Sequence, residues 1–199
     1  MENNNSQNLI WHEGKVTYEE RCANLKQRGL VIWFTGLSGA GKSTIAVEVE
    51  KALLQQGKVA YRLDGDNIRR GLNSDLGFSE ADRNENIRRI TEVAALFKDA
   101  GVITLVAFIT PFQKMRDGAR ERIGPESFIE IYVKAGLATC AARDPKGLYA
   151  KARQGEIANF TGITSEYEEP RHPDLVIDTE QLTIDESVTQ VMKYIKDKM

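Results

Sequence analysis

An apolar run, a glycine-rich loop and a helical pattern follow one another without interruption from Leu30 to Leu53, and few folds accommodate that order. Leu30–Phe34 is rich in β-branched and aromatic residues and reads as a buried strand. It breaks into Gly36-Leu37-Ser38-Gly39-Ala40-Gly41-Lys42-Ser43-Thr44, which holds the spacing G-x-x-x-x-G-K-[ST]. Ile45, Val49, Ala52 and Leu53 then share one helix face, and Gly57 is placed to end that helix. Glycines here let several backbone N–H groups converge on phosphate oxygens, and the helix N-terminus adds partial positive charge. Gly36 to Thr44 are therefore predicted to hold the phosphates of ATP. Lys42 is predicted to reach the β- and γ-phosphates, and Ser43 to ligate Mg²⁺.

Downstream, strands and helices alternate. Lys58–Leu63 reads as a second strand, Gly101–Ile109 as a third, Phe128–Val133 as a fourth and Leu175–Ile177 as a short fifth. Ser79-Glu80-Ala81-Asp82 has the form of a capping box, and Ile87, Ile90, Ala94 and Phe97 recur behind it at helical spacing. Residues 182–198 carry Ile184, Val188, Val191, Met192 and Ile195 on one helix face. The alternation predicts an α/β fold with a mainly parallel five-stranded sheet, a P-loop nucleotide-kinase-like three-layer sandwich. One domain over residues 1–199 accounts for the length. Residues 1–29 read as an N-terminal arm: 1–8 disordered, Ile10, Trp11 and Val16 as anchors, and 18–28 a short helix. Residues 143–171 are polar, rich in Gly and Lys, and lack a sustained apolar stripe. That composition fits a mobile lid over a site, and equally a plain surface excursion.

The formal net charge is −2, so no global basic field invites nucleic acid, and any anion site must be local. No apolar run approaches the length of a membrane span, and the start MENNNSQN lacks the apolar core of a signal peptide. Cys22 and Cys140 have no metal-like spacing and read as idle or buried thiols. That usage fits a reducing cytoplasm.

Ligands of parallel α/β sheets sit outside the carboxyl ends of the strands, so the glycine loop and the ends of strands two and three share one rim. Strand three ends at Ile109 and Thr110, without a carboxylate. Asp64 and Asp66, closing strand two, are then the acidic groups available to a metal and to an acceptor hydroxyl. An Asp-Gly turn is the plainer reading of the same residues, and a turn and a catalytic rim can coincide. Arg83 and Asn86 lie three apart at a helix start and share one face, with Arg69 and Arg70 nearby. They are placed to hold an anionic second substrate; a solvated helix face is the alternative. Phe78 and Phe160, read alone, belong to a core.

These residues also carry a resemblance. The glycine loop, Leu63-Asp-Gly-Asp-Asn-Ile-Arg69, Leu76-Gly-Phe-Ser79, Asp82-Arg83 with Asn86-Ile-Arg-Arg89, Arg143-Asp-Pro-Lys-Gly-Leu-Tyr149 and Asn159-Phe-Thr-Gly162 resemble the adenylylsulfate kinase (APS kinase) family. The likeness runs in order from about Trp11 to the end of the chain. The glycine loop is common to many nucleotide-binding proteins; the other segments are the specific ones. The resemblance implies ATP-dependent phosphorylation of the 3′-hydroxyl of adenosine 5′-phosphosulfate (APS), with Mg²⁺ as cofactor. It implies Lys42 and Asp64 as catalytic residues, with Asp66, Asn67 and Arg69 in a substrate loop. It further implies Phe78 and Phe160 stacked on the substrate adenine, and Arg83 and Asn86 on the phosphosulfate. Ile109 and Thr110 would line the pocket, and Lys146 would close over it from the lid. A homodimer is expected, and an association with the sulfate adenylyltransferase that makes APS is a further expected contact.

Two segments depart from the family pattern. Thr110-Pro-Phe-Gln-Lys-Met115 stands in place of Ser-Pro-Tyr-Arg-Lys-Asp, which puts in doubt any role of an arginine at Gln113. Lys134-Ala-Gly-Leu137 stands in place of Asp-Thr/Ala-Pro-Leu, at a helix start. A serine at the position of Thr110 invites a covalent phospho-enzyme. Residues 104–116 contain no Asp, Glu or His to activate a hydroxyl, so direct in-line transfer is expected. The rival readings are a kinase for a nucleoside monophosphate or a small sugar acid, and a nucleotide-dependent switch. The guanine-reading Asn-Lys-x-Asp is absent from the sequence, which weighs against a GTPase switch.

Overall fold

Leu30–Thr35 (β1) is buried along its whole length, because it lies at the middle of the sheet. The computed structural model describes residues 10, 12 and 14–199. Ala60–Asp64 (β2), Ile103–Ala107 (β3), Phe128–Lys134 (β4) and Leu175–Asp178 (β5) complete the sheet in the order β2-β3-β1-β4-β5. Every pairing is parallel. The register sets Asp64 beside Ala107 and Ala107 beside Phe34, so the carboxyl ends of β2, β3 and β1 come level. That levelling creates the rim anticipated from the strand order.

Eight α-helices are described: Tyr18–Leu25 (α1), Lys42–Gln55 (α2), Gly65–Ile68 (α3), Glu80–Asp99 (α4), Gln113–Ile123 (α5), Leu137–Arg143 (α6), Leu148–Arg153 (α7) and Ile184–Ile195 (α8). The sheet divides the core in two. On one face Ile32 and Phe34 of β1 pack with Ile45, Val49 and Leu53 of α2 and Val191 and Ile195 of α8. On the other, Val31 and Trp33 pack with Ile87, Ile90 and Ala94 of α4 and Met115, Ala119 and Ile123 of α5. The alternation along β1 is the period of a strand feeding two apolar layers. Each large side chain buried in this way contributes about 1.5–3 kcal/mol.

β1, β4 and β5 each run one residue beyond the apolar runs, while β2 starts later than its run and β3 is trimmed at both ends, for local reasons. Lys58 donates its N–H to Leu53 O and so ends α2, which leaves β2 to begin at Ala60. Gly101 (φ +83°) turns the chain out of α4, and Thr110 (φ +45°) turns it beyond β3. At the far end Thr183 and Glu186 form a reciprocal capping box, so the last helix begins at Ile184 and closes at Ile195 before a short turn over Lys196–Lys198. Ser79 caps α4 through Asp82 N, but Asp82 spends its carboxylate on the Ser79 hydroxyl, so only half of the expected box forms.

The N-terminal arm is held differently from the expectation. Ile10 and Val16 are exposed, so neither anchors the arm; Trp11 and residues 1–8 lie outside the described residues. The hold comes from α1, whose Arg21 pairs with Asp99 at 3.0 Å and whose Leu25 packs on Gly101. Residues 143–171 contain α7 and bury Tyr149, Ala152, Phe160 and Thr161. Tyr149 and Ala152 come from the six-residue α7 and Phe160 and Thr161 from the bend beyond it, so no sustained helical stripe shows. Among the described residues no helix is long and apolar enough to cross a membrane.

Candidate active site

The glycine loop joins β1 to α2 and depends on its first glycine. Gly36 has φ +147°, and a Cβ there would lie 2.3 Å from the carbonyl oxygen of Val133. No side chain fits that approach. The loop is braced from behind by Arg143 and Tyr149, the two ends of one motif segment, and by Thr179, which lies in no motif. Tyr149 Oη donates to Ser38 O at 2.9 Å, and Thr179 Oγ1 donates to Ala40 O at 2.9 Å. Arg143 in turn donates to Thr179 Oγ1 and Thr179 O. Lys42 is 8% exposed and donates to Gly36 O at 2.8 Å and Leu37 O at 2.7 Å. Burial pushes its ammonium down to about 8, because the charged form is poorly solvated there. Ser43 and Thr44 are exposed at the first turn of α2.

Asp64 closes β2 and is buried. Its Oδ1 accepts the N–H of Asp66 at 3.1 Å, which caps α3, and its Oδ2 lies 3.0 Å from Arg62 Nη1. Arg62 is a residue that the motif reading passed over. Two positions back on a strand it shares a face with Asp64, and that spacing is the signal that could have found it. Asp66 is ion-paired with Lys146, which ties the 143–171 segment to α3. Asn67 is exposed beside it.

Arg69 donates to Gly77 O at 2.9 Å and lays its guanidinium 4.3 Å above the ring of Phe78, which is 59% exposed. Arg83 bridges two segments: its Nε donates to Phe78 O at 3.0 Å and its Nη1 to Thr161 Oγ1 at 2.7 Å. Burial lowers the affinity of both guanidinium groups for their proton, and the charge of Arg69 lowers that of Arg83 further. Two neighbouring cations thus concentrate positive charge beside an aromatic ring, in a chain of negative net charge. Phe160, next to Thr161, is buried edge-on against Tyr149, with ring centroids 4.9 Å apart. Asn86 is buried too, with its Oδ1 taken by Asn73 Nδ2 at 2.9 Å.

Ile109 lies against the glycine loop: its carbonyl accepts the Thr35 hydroxyl at 2.6 Å and the Gly36 N–H at 3.5 Å. Thr110 does not present its hydroxyl as a pocket lining. It is 1% exposed, and its Oγ1 accepts the indole N–H of Trp33 at 2.9 Å. Its carbonyl accepts Arg116 Nη1 at 2.7 Å. Arg116 also donates to Glu168 O at 2.7 Å and pairs with the buried Glu130 at 2.8 Å, fastening residues 167–168 to the rim. Gln113 has a structural task of its own, since its Oε1 accepts both Arg116 Nη2 and Arg171 N. At the second departure, Glu180 holds the start of α6 through Gly136 N and Thr139.

The oxygen donors suit magnesium. Among the described residues no group of three or more His, Cys, Asp or Glu could hold a metal alone. Mg²⁺ uses one or two protein oxygens together with phosphates and waters, and Ser43 and Asp64 supply such hard oxygens at the rim.

Sequence comparison settles the family. The model of the adenylylsulphate kinase family matches residues 28–178. The chain belongs to the adenylylsulfate kinase family. It is 54% identical over 193 residues to the adenylyl-sulfate kinase of Staphylococcus carnosus, covering 97% of each chain. It is 56% identical over 192 residues to that of Geotalea uraniireducens, covering 96% of this chain and 92% of the relative. Among solved structures it is similar to the Mycobacterium tuberculosis APS kinase in complex with AMPPNP and APS. That likeness has a TM-score of 0.81 at 49% identity and covers 85% of this chain and 99% of the other.

Proposed function

We propose that this chain transfers the γ-phosphoryl group of ATP to the 3′-hydroxyl of APS, giving 3′-phosphoadenylyl sulfate for sulfate assimilation. The observation that carries the reading is Arg83, bridging Phe78 and Thr161 beside Arg69 in a member of the adenylylsulfate kinase family. The residues from Gly36 to Thr44 hold the ATP phosphates, and Lys42 leaves the carbonyls of its own loop to offset charge on the transferring group. Ser43 holds Mg²⁺, which screens the phosphates when ATP is bound. Asp64 accepts or orients the proton of the 3′-hydroxyl. Arg83 and Asn86 hold the phosphosulfate, and Asp66, Asn67, Arg69 and Ile109 shape its pocket. Phe78 and Phe160 stack on the adenine, with Phe160 moving off Tyr149 to do so.

Transfer is direct and in line. The burial of the Thr110 hydroxyl under Trp33 supports this, because a nucleophile must reach the γ-phosphate. Residues 143–171 act as a lid of the single domain, with Lys146 releasing Asp66 to close on substrate. Two free cysteines suit a cytoplasmic protein. A homodimer, and contact with the sulfate adenylyltransferase that makes APS, extend the proposal and are checked by sedimentation alone and with that enzyme. An acceptor screen with ATP and Mg²⁺ tests the core of it. Turnover confined to APS is the expected result, and preferential phosphorylation of AMP, shikimate or gluconate would overturn it.

A further inference from the structure

Asn73 sits in the connection between α3 and α4 and is fully buried. Its backbone is pinned on both sides: its N–H donates to Ile68 O at 3.1 Å, and its carbonyl accepts Leu76 N at 3.2 Å. Arg89 holds the flanks through Leu72 O and an ion pair with Asp75 at 2.7 Å. The side chain is therefore delivered to α4 in one place. Its Nδ2 donates to Asn86 Oδ1 at 2.9 Å and makes a longer contact, 3.5 Å, to the Asn86 backbone carbonyl. Its own Oδ1 is buried without a hydrogen-bond partner.

The two contacts fix both amides. Only the nitrogen end of Asn73 can face a backbone carbonyl, because its oxygen would repel it. With that end fixed as a donor, Asn86 must answer with its oxygen. Reversing Asn86 would set one amide nitrogen against another. Asn86 Nδ2 is left over. Among the described residues it makes no hydrogen bond, and it is not among the fully enclosed unpartnered atoms. Asn86 follows Arg83 by three residues on α4, so the two share a helix face. A two-donor amide beside a guanidinium attracts an anion, whereas a carbonyl in that place would repel it.

We propose that Asn73 is a positioning residue that fixes Asn86 with its amide donors, and not its carbonyl, offered to the anionic group of the acceptor substrate. The orphaned Asn73 Oδ1 follows from this, because satisfying it would turn the donor pair away from Asn86. The proposal rests on the reading that Asn86 meets the phosphosulfate of APS.

Steady-state kinetics against APS and ATP test it. Asn73→Asp keeps the shape but replaces the donor with an acceptor that recruits Asn86 Nδ2 to itself. It should raise KM for APS about tenfold or more, with KM for ATP changed by less than about twofold. Asn73→Ala should raise it less, and should add nothing in an Asn86→Ala background, because Asn73 acts only through Asn86. Should either Asn73 variant fail to fold, Asn86→Asp decides. It keeps the bond from Asn73 and sets an oxygen toward the anion, so its KM for APS must exceed that of Asn86→Ala. Equal effects on both substrates, additivity with Asn86→Ala, or Asn86→Asp no worse than Asn86→Ala would each overturn the proposal. Wild-type protein that leaves APS untouched would instead overturn the reading on which it rests.

Discussion

Lys42 donates its ammonium to the carbonyl oxygen of Gly36 at 2.8 Å, within the loop to which both residues belong. A second loop carbonyl, that of Leu37, accepts from the same ammonium at 2.7 Å. Burial still holds the ammonium near 8, against an ordinary value of 10.5. The folded chain therefore loses this proton before the unfolded chain does. Between those two values unfolding takes up a proton, and the cost of burying the charged lysine fades as pH rises through the window. Triphosphate favours the charged form and reverses the shift. ATP binding should take up a proton at pH values just above 8 and weaken as pH rises further, by at most about tenfold per unit. Calorimetry in buffers of different ionisation enthalpy measures this, and Lys42→Met should abolish both the proton uptake and turnover.

Asp64 is buried and carries Arg62 at 3.0 Å, so its carboxylate is held at the rim before substrate arrives. Asp64→Asn should lower kcat by on the order of a hundredfold while leaving the Kd of ATP little changed, as removal of an acid–base group does. Rapid-quench kinetics together with ATP titration separate the two quantities. An unchanged kcat with lowered stability would reduce Asp64 to a turn residue.

Two glycines give opposite expectations. A Cβ at Gly36 would meet Val133 O at 2.3 Å with φ at +147°, so Gly36→Ala must displace the loop. ATP affinity should fall by about tenfold or more, since the loop places several phosphate donors at once. Gly118 is exposed within α5 with nothing within 4 Å of its Cβ position, so Gly118→Ala should stabilise by about 0.4–1 kcal/mol. Equilibrium unfolding and nucleotide titration of both variants check the pair.

Much of this was legible in the sequence. The order of apolar runs and the glycine loop gave the parallel sheet and its rim, because a buried central strand must be apolar and its period is simple. Candidate site residues could be named wherever a short motif carried them, as at Lys42, Asp64 and Arg83. What stayed hidden depends on long-range pairing. Arg116 lies in none of the quoted motifs, yet it is buried against Glu130 and reaches Thr110 and Glu168. Thr110 reads as a rim residue, but its hydroxyl turns to Trp33, 77 positions earlier. Residues 143–171 read as polar, because their buried side chains come from one short helix and one bend rather than a sustained stripe.

Burial also ranks the ion pairs. Arg116 and Glu130 are almost wholly enclosed, and burial raises the Glu130 carboxyl despite its cationic neighbours. Arg116→Met leaves that carboxyl with Arg120 alone, 3.6 Å away, and should cost about 3–5 kcal/mol. Arg122 and Glu92 pair at 2.7 Å on the surface, where Arg122→Ala should cost less than about 1 kcal/mol. Denaturant unfolding of the two variants gives the comparison, and equal costs would contradict the ranking.

The most direct measurement is the structure of the product formed from ATP, Mg²⁺ and APS. Phosphorus and proton NMR should show one new phosphate coupled to the ribose 3′ proton, with the phosphosulfate intact. Transfer of a chiral thiophosphate from labelled ATP should proceed with inversion, as one in-line step requires. A phosphate on any other hydroxyl, net retention of configuration, or no product from APS would contradict the account.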